Sequence, residues 1–438
     1  MGIIRKLNDI EQALTISNEA YPLTVLCVLY LRNGPDITRV KEALEALQAR
    51  HILLRARIIK ENSKLCFDEI SSPPPIELTY IERSSDHTCQ ETVNQVLNIS
   101  IDSDGILLKC WYIRNQYDDE SELIVGFHHS IIDGTTARLI LDELMSLISD
   151  VPLEKIVKNH YSKHAKQLEI SFFRALGFIS RQLKGEWKYL KKGAKAPIPP
   201  SPENTTLRFR LSVEQTRKLT LAAGRKKLSL NSLISAVMTR EVIQRLHLEE
   251  KPTLGRAICF ADLRTIMPHS PPASALGCYT SMIRMDIPLR PNQDIWEMAE
   301  NVKRGIFQSN RRGDIQVMTK LSKYLFRMAI SMKKMRLGNT ALSFIGKLDL
   351  KPMYGSVELN DVNAFITNNQ FGPELSAFGK IFRGQLGLDF TYLSSELEDA
   401  KAREIVMNIQ ETLEKIANLD EDKEYIRLEN KKGKRNDT

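Results

Sequence analysis

The sequence predicts an α/β protein built from two successive halves of similar make-up. Three observations lead there. The chain has 438 residues, more than the roughly 250–300 that a single core usually organises. Strand-length apolar runs alternate with amphipathic stretches of helical period, and the order strand, helix, strands, helix occurs twice. Between the two occurrences lies the Pro-rich run Gly193 to Pro202, which has the composition of a linker. The reading divides the chain into a first half (1–192), a linker (193–204), a second half (205–425) and a charged tail (426–438) expected to be disordered.

In the first half, Leu23 to Leu31 is an apolar run containing Val25, Val28 and Tyr30, hence a strand. Gly34-Pro35-Asp36 is a turn. Ile37, Val40, Ala43, Leu44 and Leu47 then recur at helical spacing, with Asp36 as a cap. Ile52 to Ile59 reads as strand, Ser71 to Pro75 as loop, Gln90 to Leu97 as helix. Gly105 to Ile113 and Leu123 to His128 read as buried strands. Ala137, Ile140, Leu141, Leu144 and Leu147 give an amphipathic helix with Thr135 and Thr136 placed to cap it. Leu168, Phe172, Leu176, Ile179, Leu183, Trp187 and Leu190 fall at steps of three and four. They predict a long helix, 168–192, with a narrow apolar stripe between basic faces.

The second half restarts with a strand (Thr205 to Leu211) and two helices, Val213 to Ala223 and Leu230 to Leu246, the latter capped by Ser229. Strands follow near Thr253 to Phe260 and Tyr279 to Ile287, then helices over Trp296 to Ser309 and Gln316 to Met335. Strands around Leu342, Val362 and Gln385 to Tyr392 precede a last helix, Glu398 to Ala417.

Composition narrows the functional classes. Hydrophobic residues make up 42% and charged residues 26%, a globular balance. The opening residues contain no apolar h-region, Lys6 stands where myristoylation wants Ser or Thr, and no run reaches the ~20 apolar residues of a membrane span. A cytoplasmic location is expected. The net charge of +8 suits an acidic partner or an anionic surface. Aromatic residues are not interleaved with the basic ones, so no nucleic-acid partner is expected. Six scattered cysteines form no Cys-x-x-Cys pair, which reads as reduced, mostly buried thiols and no metal site.

Chemistry concentrates in Phe127-His128-His129-Ser130-Ile131-Ile132-Asp133-Gly134. Adjacent histidines on a strand point to opposite faces, so one of them can look into a cleft. An aspartate and a glycine then turn the chain into a helix, which brings backbone N–H groups and a positive dipole end near the imidazole. Histidine titrates near working pH and serves as a general base. A buried aspartate calls for a cation to offset its desolvation. A lone His-His pair at a strand end is more often structural; the complete pattern in a chain of this length carries more.

That pattern, His-His-x-x-x-Asp-Gly after a buried strand, resembles the core motif of the condensation-domain superfamily, whose fold is that of chloramphenicol acetyltransferase. Other segments match in order. Arg50 to Arg57 resembles the family's Arg-His-Pro-Leu-Leu-Arg element, with Ile52 for Pro. Leu7 to Glu11 resembles its opening, Ala261 to Arg264 its Asp-Leu-Arg strand end, Leu276 to Ser281 its glycine strand, and Leu388 to Tyr392 its closing strand. The resemblance runs from residue 7 to about 417 and is nearest to polyketide-associated, phthiocerol dimycocerosyl transferase-like enzymes and alcohol acyltransferases. It implies two chloramphenicol acetyltransferase-like domains in a V-shaped pseudo-dimer, with the active site in a tunnel between them.

The resemblance also implies roles. His129 matches the general base and His128 a structural histidine. Asp133 matches an aspartate turned from the cleft towards an arginine, for which Arg264 is the candidate. Gly134 matches the glycine that closes the turn, and Arg50 and Arg55 hold their element in place. Thr280 and Ser281 are oxyanion or substrate candidates. The plant-type Asp-Phe-Gly-Trp-Gly signature is absent, and Phe344 stands where relatives carry Asn.

The implied reaction moves an acyl group from a thioester, acyl-CoA or acyl carrier protein, to a small-molecule hydroxyl acceptor, with no bound cofactor. Amide formation and a catalytically silent binding module are the rivals; a hydrolase would want a Gly-x-Ser-x-Gly, which does not occur. For the basic helix 168–192, the favoured reading packs its stripe on the body. Peripheral contact with an anionic membrane and docking of an acidic carrier protein are the alternatives.

Overall fold

The computed structural model describes residues 2–433 apart from 116–118, 153–169, 195–202, 248, 250, 268–270, 272–274 and 333–335. The strands, in chain order, are β1 (Ile3–Lys6), β2 (Thr24–Arg32), β3 (Ala56–Glu61), β4 (Lys64–Glu69), β5 (Glu77–Glu82), β6 (Leu108–Arg114), β7 (Glu120–His128), β8 (Asn204–Arg210), β9 (Leu254–Asp262), β10 (Thr280–Pro288), β11 (Thr340–Lys347), β12 (Met353–Tyr354), β13 (Val357–Ile366), β14 (Leu375–Phe382) and β15 (Gln385–Leu393). The helices are α1 (Asp9–Ala20), α2 (Ile37–Arg50), α3 (Thr88–Leu97), α4 (Gly134–Ile148), α5 (Phe172–Lys192), α6 (Val213–Arg225), α7 (Leu230–Leu246), α8 (Ile295–Arg312), α9 (Asp314–Met332) and α10 (Asp399–Gly433).

Two six-stranded sheets dominate, ordered β12-β13-β2-β7-β6-β5 and β10-β9-β11-β14-β15-β8, with a small β1-β4-β3 sheet beside the first. β2 is central and apolar on both faces. Leu26 and Val28 pack with α3, and Val25, Cys27 and Leu29 with the apolar sides of α2 and α4. The second sheet is covered by α7, α8 and α10, whose Val237, Val302 and Ile409 share one core. This is the expected pair of α/β units, with one addition. β13 comes from the second half but pairs antiparallel with β2, Val362 opposite Leu29, inside the first half's sheet. Buried polar contacts fasten it to the second sheet: Asn363 Nδ2 donates to Asp389 at 2.7 Å, and Asp389 also pairs with the buried Lys380.

Local physics explains where the sequence reading shifts. Ile52–Arg55 is a 3₁₀ turn and β3 begins at Ala56, not at Ile52. Leu53 and Leu54 are both fully buried, and neighbours on a strand would face opposite ways. Gln48 Nε2 and the Leu54 carbonyl hold that turn on α2, 3.1 Å apart. α2 carries its expected cap, Asp36 accepting from the Arg39 N–H at 3.0 Å. α4 does not carry the threonine cap. Asp133 is the N-cap, accepting from the Thr136 N–H at 2.9 Å, and the hydroxyls of Thr135 and Thr136 go to Asp262 and Asp133. The tail expected to be disordered is helical as far as Gly433, because α10 continues past Ala417.

The largest departure is α5. Its predicted stripe does not pack on the body: Phe172, Leu176, Ile179, Leu183, Trp187 and Leu190 are exposed, and Phe178 is the buried side chain of this helix. A different face docks. Arg181 pairs with Asp314, Gln182 accepts from Arg284 at 2.8 Å, and Glu186 takes Arg256 at 2.9 Å. Tyr189 donates to Asn339 at 2.7 Å and its ring lies 3.9 Å from the Arg256 guanidinium. Residues 178, 181, 182, 186 and 189 share one side at i, i+3, i+4 spacing. Directed charge and hydrogen-bond contacts therefore seat this helix, and amphipathicity does not choose its inner face. The start of the predicted helix, 168–169, and most of the linker, 195–202, lie outside the described residues.

Phe365 of β13 is 2% exposed and packs with Leu26 and Val28 of the other half. Phe365→Ala should lower unfolding free energy by about 3–5 kcal/mol. The crossover strand ties both sheets together, so urea denaturation of this variant should still show a single transition.

Candidate active site

β7 delivers the two histidines and then ends. His128 is its last residue, paired with Thr24, and His129 opens a 3₁₀ turn, His129–Ile131. The change of backbone at that point, rather than strand alternation, aims the two rings apart. His128 is wholly buried. Its Nδ1 accepts from the Ser130 N–H at 3.2 Å and from the Ser130 hydroxyl at 2.7 Å, and Nε2 faces the Ser103 hydroxyl at 3.3 Å. This bonding places its proton on Nε2. Burial, with the neighbouring His129 adding to it, pushes its pKa down to about 3. It is a neutral structural element of the turn.

His129 is half-buried and lines a cavity of about 150 Å³. Its Nδ1 lies 3.2 Å from the Ile132 carbonyl. A carbonyl can only accept, so Nδ1 carries the proton and the Nε2 lone pair is left available. Burial lowers its pKa from the ordinary value, against the opposing pull of that carbonyl and the Asp133 charge. The ring is a neutral base at physiological pH. The cavity wall comes from both halves: Val25, Cys27 and Gly134 from one, Phe260, Thr280 and Ser343 from the other. Ile10 and Leu14 of α1 and Met318 and Phe326 of α9 also contribute.

The turn that carries His129 is held by Asp133. One carboxylate oxygen accepts from Thr136 N–H at 2.9 Å and Thr136 Oγ1 at 2.8 Å. The other accepts from Arg264 Nη1 at 2.9 Å and Tyr279 N–H at 2.8 Å. Arg264 is buried, stacks 4.6 Å from the centre of the Tyr279 ring and also meets Asp262 at 3.2 Å. Two glycines let the halves close. A Cβ on Gly134 would stand 2.8 Å from the Ile345 side chain of the second half. Gly277, at φ +144°, donates its N–H to the Ile131 carbonyl at 3.0 Å, and a Cβ there would meet Glu11 at 2.7 Å.

The remaining sequence candidates separate. Thr280 is half-buried on the cavity wall, and its hydroxyl makes no side-chain hydrogen bond among the described residues. Ser281 lines the same cavity but is buried, and its hydroxyl is directed to the Ile315 carbonyl at 3.5 Å. Arg50 pairs with Glu143, and Arg55 donates to the Gln48 carbonyl at 3.0 Å, both away from the cavity. Ser343 reaches the cavity while Phe344 turns towards Gly379 and a second, polar chamber. That chamber, about 460 Å³, contains Arg138, Lys347 and Asp262 and adjoins the first through Gly134, Phe260, Thr280 and Ser343. Thr135, read from the sequence as a cap, and Asp262, read as part of the Asp-Leu-Arg strand end, meet at the polar chamber. The α9 contributions Met318 and Phe326 escaped the sequence reading, since nothing in their local pattern distinguishes them from other helix residues. All six cysteines are free and buried, and two of them, Cys27 and Cys278, line the His129 cavity. Burial pushes the Cys27 thiol up to about 12 and the Cys278 thiol well above its usual range. Among the described residues, no cluster of potential metal ligands occurs and no helix is long and apolar enough to cross a membrane.

Comparison with known proteins places this geometry. The Condensation domain family model matches residues 13–428. The chain belongs to the condensation-domain family. Among curated relatives, it is 23% identical over 421 residues to surfactin synthase subunit 1 of Bacillus subtilis, covering 85% of this chain and 11% of that protein. The chain therefore spans a small part of the curated relatives it matches. Solved structures share the fold. The trichothecene 15-O-acetyltransferase TRI3 of Fusarium sporotrichioides has a TM-score of 0.74 at 10% identity over 94% of both chains. Polyketide synthase associated protein 5 of Mycobacterium tuberculosis has a TM-score of 0.67 at 15% identity, over 95% of this chain and 99% of that one. The first condensation domain of the calcium-dependent antibiotic synthetase has 0.71 at 14% identity, over 95% and 97%. The two-lobed, chloramphenicol acetyltransferase-like architecture expected from the motif is the fold of this condensation domain.

Two outcomes follow for this site. Asp133→Ala leaves Arg264 buried without its main partner and should cost about 3–5 kcal/mol of stability. The double variant Asp133→Ala/Arg264→Met should lose less than the sum of the single losses, as read by urea denaturation. His128 is neutral in the fold and titrates near 6.5 when unfolded. Its contribution is therefore fully present above pH 6.5 and is lost as the pH falls from 6.5 towards about 3. Melting temperature should drop over that window, and less so in His128→Gln.

Proposed function

We propose that this protein transfers an acyl group from a thioester, carried by coenzyme A or an acyl carrier protein, to a hydroxyl, with His129 as the general base. The observation that carries the reading is the orientation of one ring: Nδ1 tied to the Ile132 carbonyl and Nε2 without a protein partner among the described residues, in a cavity walled by both halves. The acceptor O–H gives its proton to Nε2 as its oxygen attacks the thioester carbonyl. The resulting oxyanion lies near Gly134, at the start of α4, and the Thr280 hydroxyl; Ser281, whose hydroxyl is directed to Ile315, is the weaker donor. Collapse expels the thiolate, which takes the proton back from His129. The acyl group passes directly between the two substrates, and the enzyme's share is orientation and proton transfer.

Asp133 and His128 act as positioning residues, since their polar atoms are occupied by protein groups. The polar chamber beside the cavity sets Arg138 and Lys347 against Asp262 and Asp349, and its open, polar lining suits the hydrogen-bonding arm of either thioester carrier. The alternative product is an amide, because curated relatives include the nonribosomal peptide synthetase ecdA of Aspergillus rugulosus and the phosphinothricin tripeptide synthetase PhsC of Streptomyces viridochromogenes. One neutral imidazole serves both nucleophiles, so product analysis decides between them.

Thiol release from acyl-CoAs, with alcohols and amines as acceptors and products identified by mass spectrometry, tests the reaction. His129→Ala should lower kcat by about 10²–10⁴-fold; a wild-type rate would remove the base assignment. The lowered pKa of His129 keeps it in the base form below the ordinary value of 6.5. The acid limb of kcat/KM against pH should accordingly lie below 6.5.

A further inference from the structure

A third space, of about 370 Å³, opens between α5 and α9. Its volume lies within the ~300–1,000 Å³ typical of small-molecule sites. Ile179 and Leu183 form one wall and Leu321, Leu325, Met328 and Ala329 the other. Met282, Met318 and Phe326 line both this chamber and the His129 cavity, so the two spaces share one partition. Two of those three side chains are thioethers, which change shape at low cost.

The chemistry of the walls selects an occupant. Three of the polar side chains that border the chamber are tied up in protein contacts: Gln182 accepts from Arg284 at 2.8 Å, and Glu186 pairs with Arg284 and with Arg256 behind it; the fourth, Tyr324, is exposed. A polar ligand would find few partners on these largely aliphatic walls, and its desolvation would go mostly uncompensated. A plain hydrocarbon gains from every methylene it buries. The mouth is open on the α5 side, where Ile179 and Leu183 are exposed. That helix is seated by polar contacts with Phe178 as its buried anchor, so few apolar contacts resist its displacement.

We propose that the α5–α9 chamber holds the alkyl chain of a long-chain substrate whose reactive end lies at His129. The proposal rests on the His129 reading for the position of the reactive end only. It fixes the substrate class as lipid-like, and the chain belongs either to the donor acyl group or to the acceptor alcohol.

The test measures binding, separately from turnover. Calorimetric titrations would use hexadecyl-CoA and ethyl-CoA thioethers, which mimic donors but cannot transfer, and hexadecanol against hexanol as acceptors. In the wild-type protein one of the two pairs should show binding at least about tenfold tighter for its long member. Ala329→Phe, which fills the chamber, and Leu183→Asp, which charges its exposed mouth, should each abolish that difference and leave short-chain binding unchanged. The pair that loses its difference identifies the source of the chain. Absence of a chain-length effect in the wild-type protein, or its survival in Leu183→Asp with native circular dichroism, overturns the proposal. His129→Ala should retain the effect. If that variant also keeps wild-type turnover, the catalytic reading fails while the chamber assignment stands.

Discussion

The carboxylate of Asp133 is the constraint on which the site depends. It sits where a strand, a 3₁₀ turn and a helix meet, and its two oxygens serve three different needs. One oxygen caps α4, while the other binds the guanidinium of Arg264 and the N–H of Tyr279 in the opposite half. A buried charge is tolerable only when paired and fully hydrogen-bonded, and here the pairing can be completed only if the halves are docked. Local backbone geometry and global assembly are thereby the same event. Gly134 and Gly277 make it sterically feasible, each at a contact where a side chain would collide with the other half.

The crossover of β13 works in the same direction. A strand that belongs to one half by sequence is hydrogen-bonded into the sheet of the other, while its Asn363 and Ala364 hold Asp389 on the second sheet. The cavity lies beside this seam, with Ala364 and Ile366 of β13 among its lining residues. Its shape is thus fixed by two sheets at once, an arrangement that holds the His129 ring in a defined orientation.

Much of this was legible in the sequence. Strands such as β2 and β7 are continuous apolar runs, and α2 announces itself by period and by Asp36, because burial on both faces or on one stripe leaves a direct mark on residue order. The motif pointed to His129, and the match of Arg264 to a family partner pointed to the residue that Asp133 meets. Other features were not readable, for identifiable reasons. Thr135 and Asp133 are both good caps by type, and which one serves depends on Asp262 and Arg264, more than a hundred residues away. Ile52 to Ile59 looks like one strand because apolarity does not report that Leu53 and Leu54 must both face inward. The stripe of α5 is the clearest case. Period reveals that a helix has two faces, while the partner decides which is inside. Here the docking surface offers Asp314, Arg284, Arg256 and Asn339, so the polar face wins.

The two cysteines on the cavity wall carry a consequence of their own. A thiolate beside a bound thioester would exchange with it and trap the acyl group as an unproductive adduct. Exchange requires ionisation, and sulfur held in the protonated state is a poor nucleophile. With Cys27 raised to about 12 by its apolar surroundings and Cys278 raised as well, both sulfurs behave towards such a ligand as small hydrocarbon-like filler. In the proposed reaction, sulfur on the cavity wall would therefore leave an activated carbonyl undiverted.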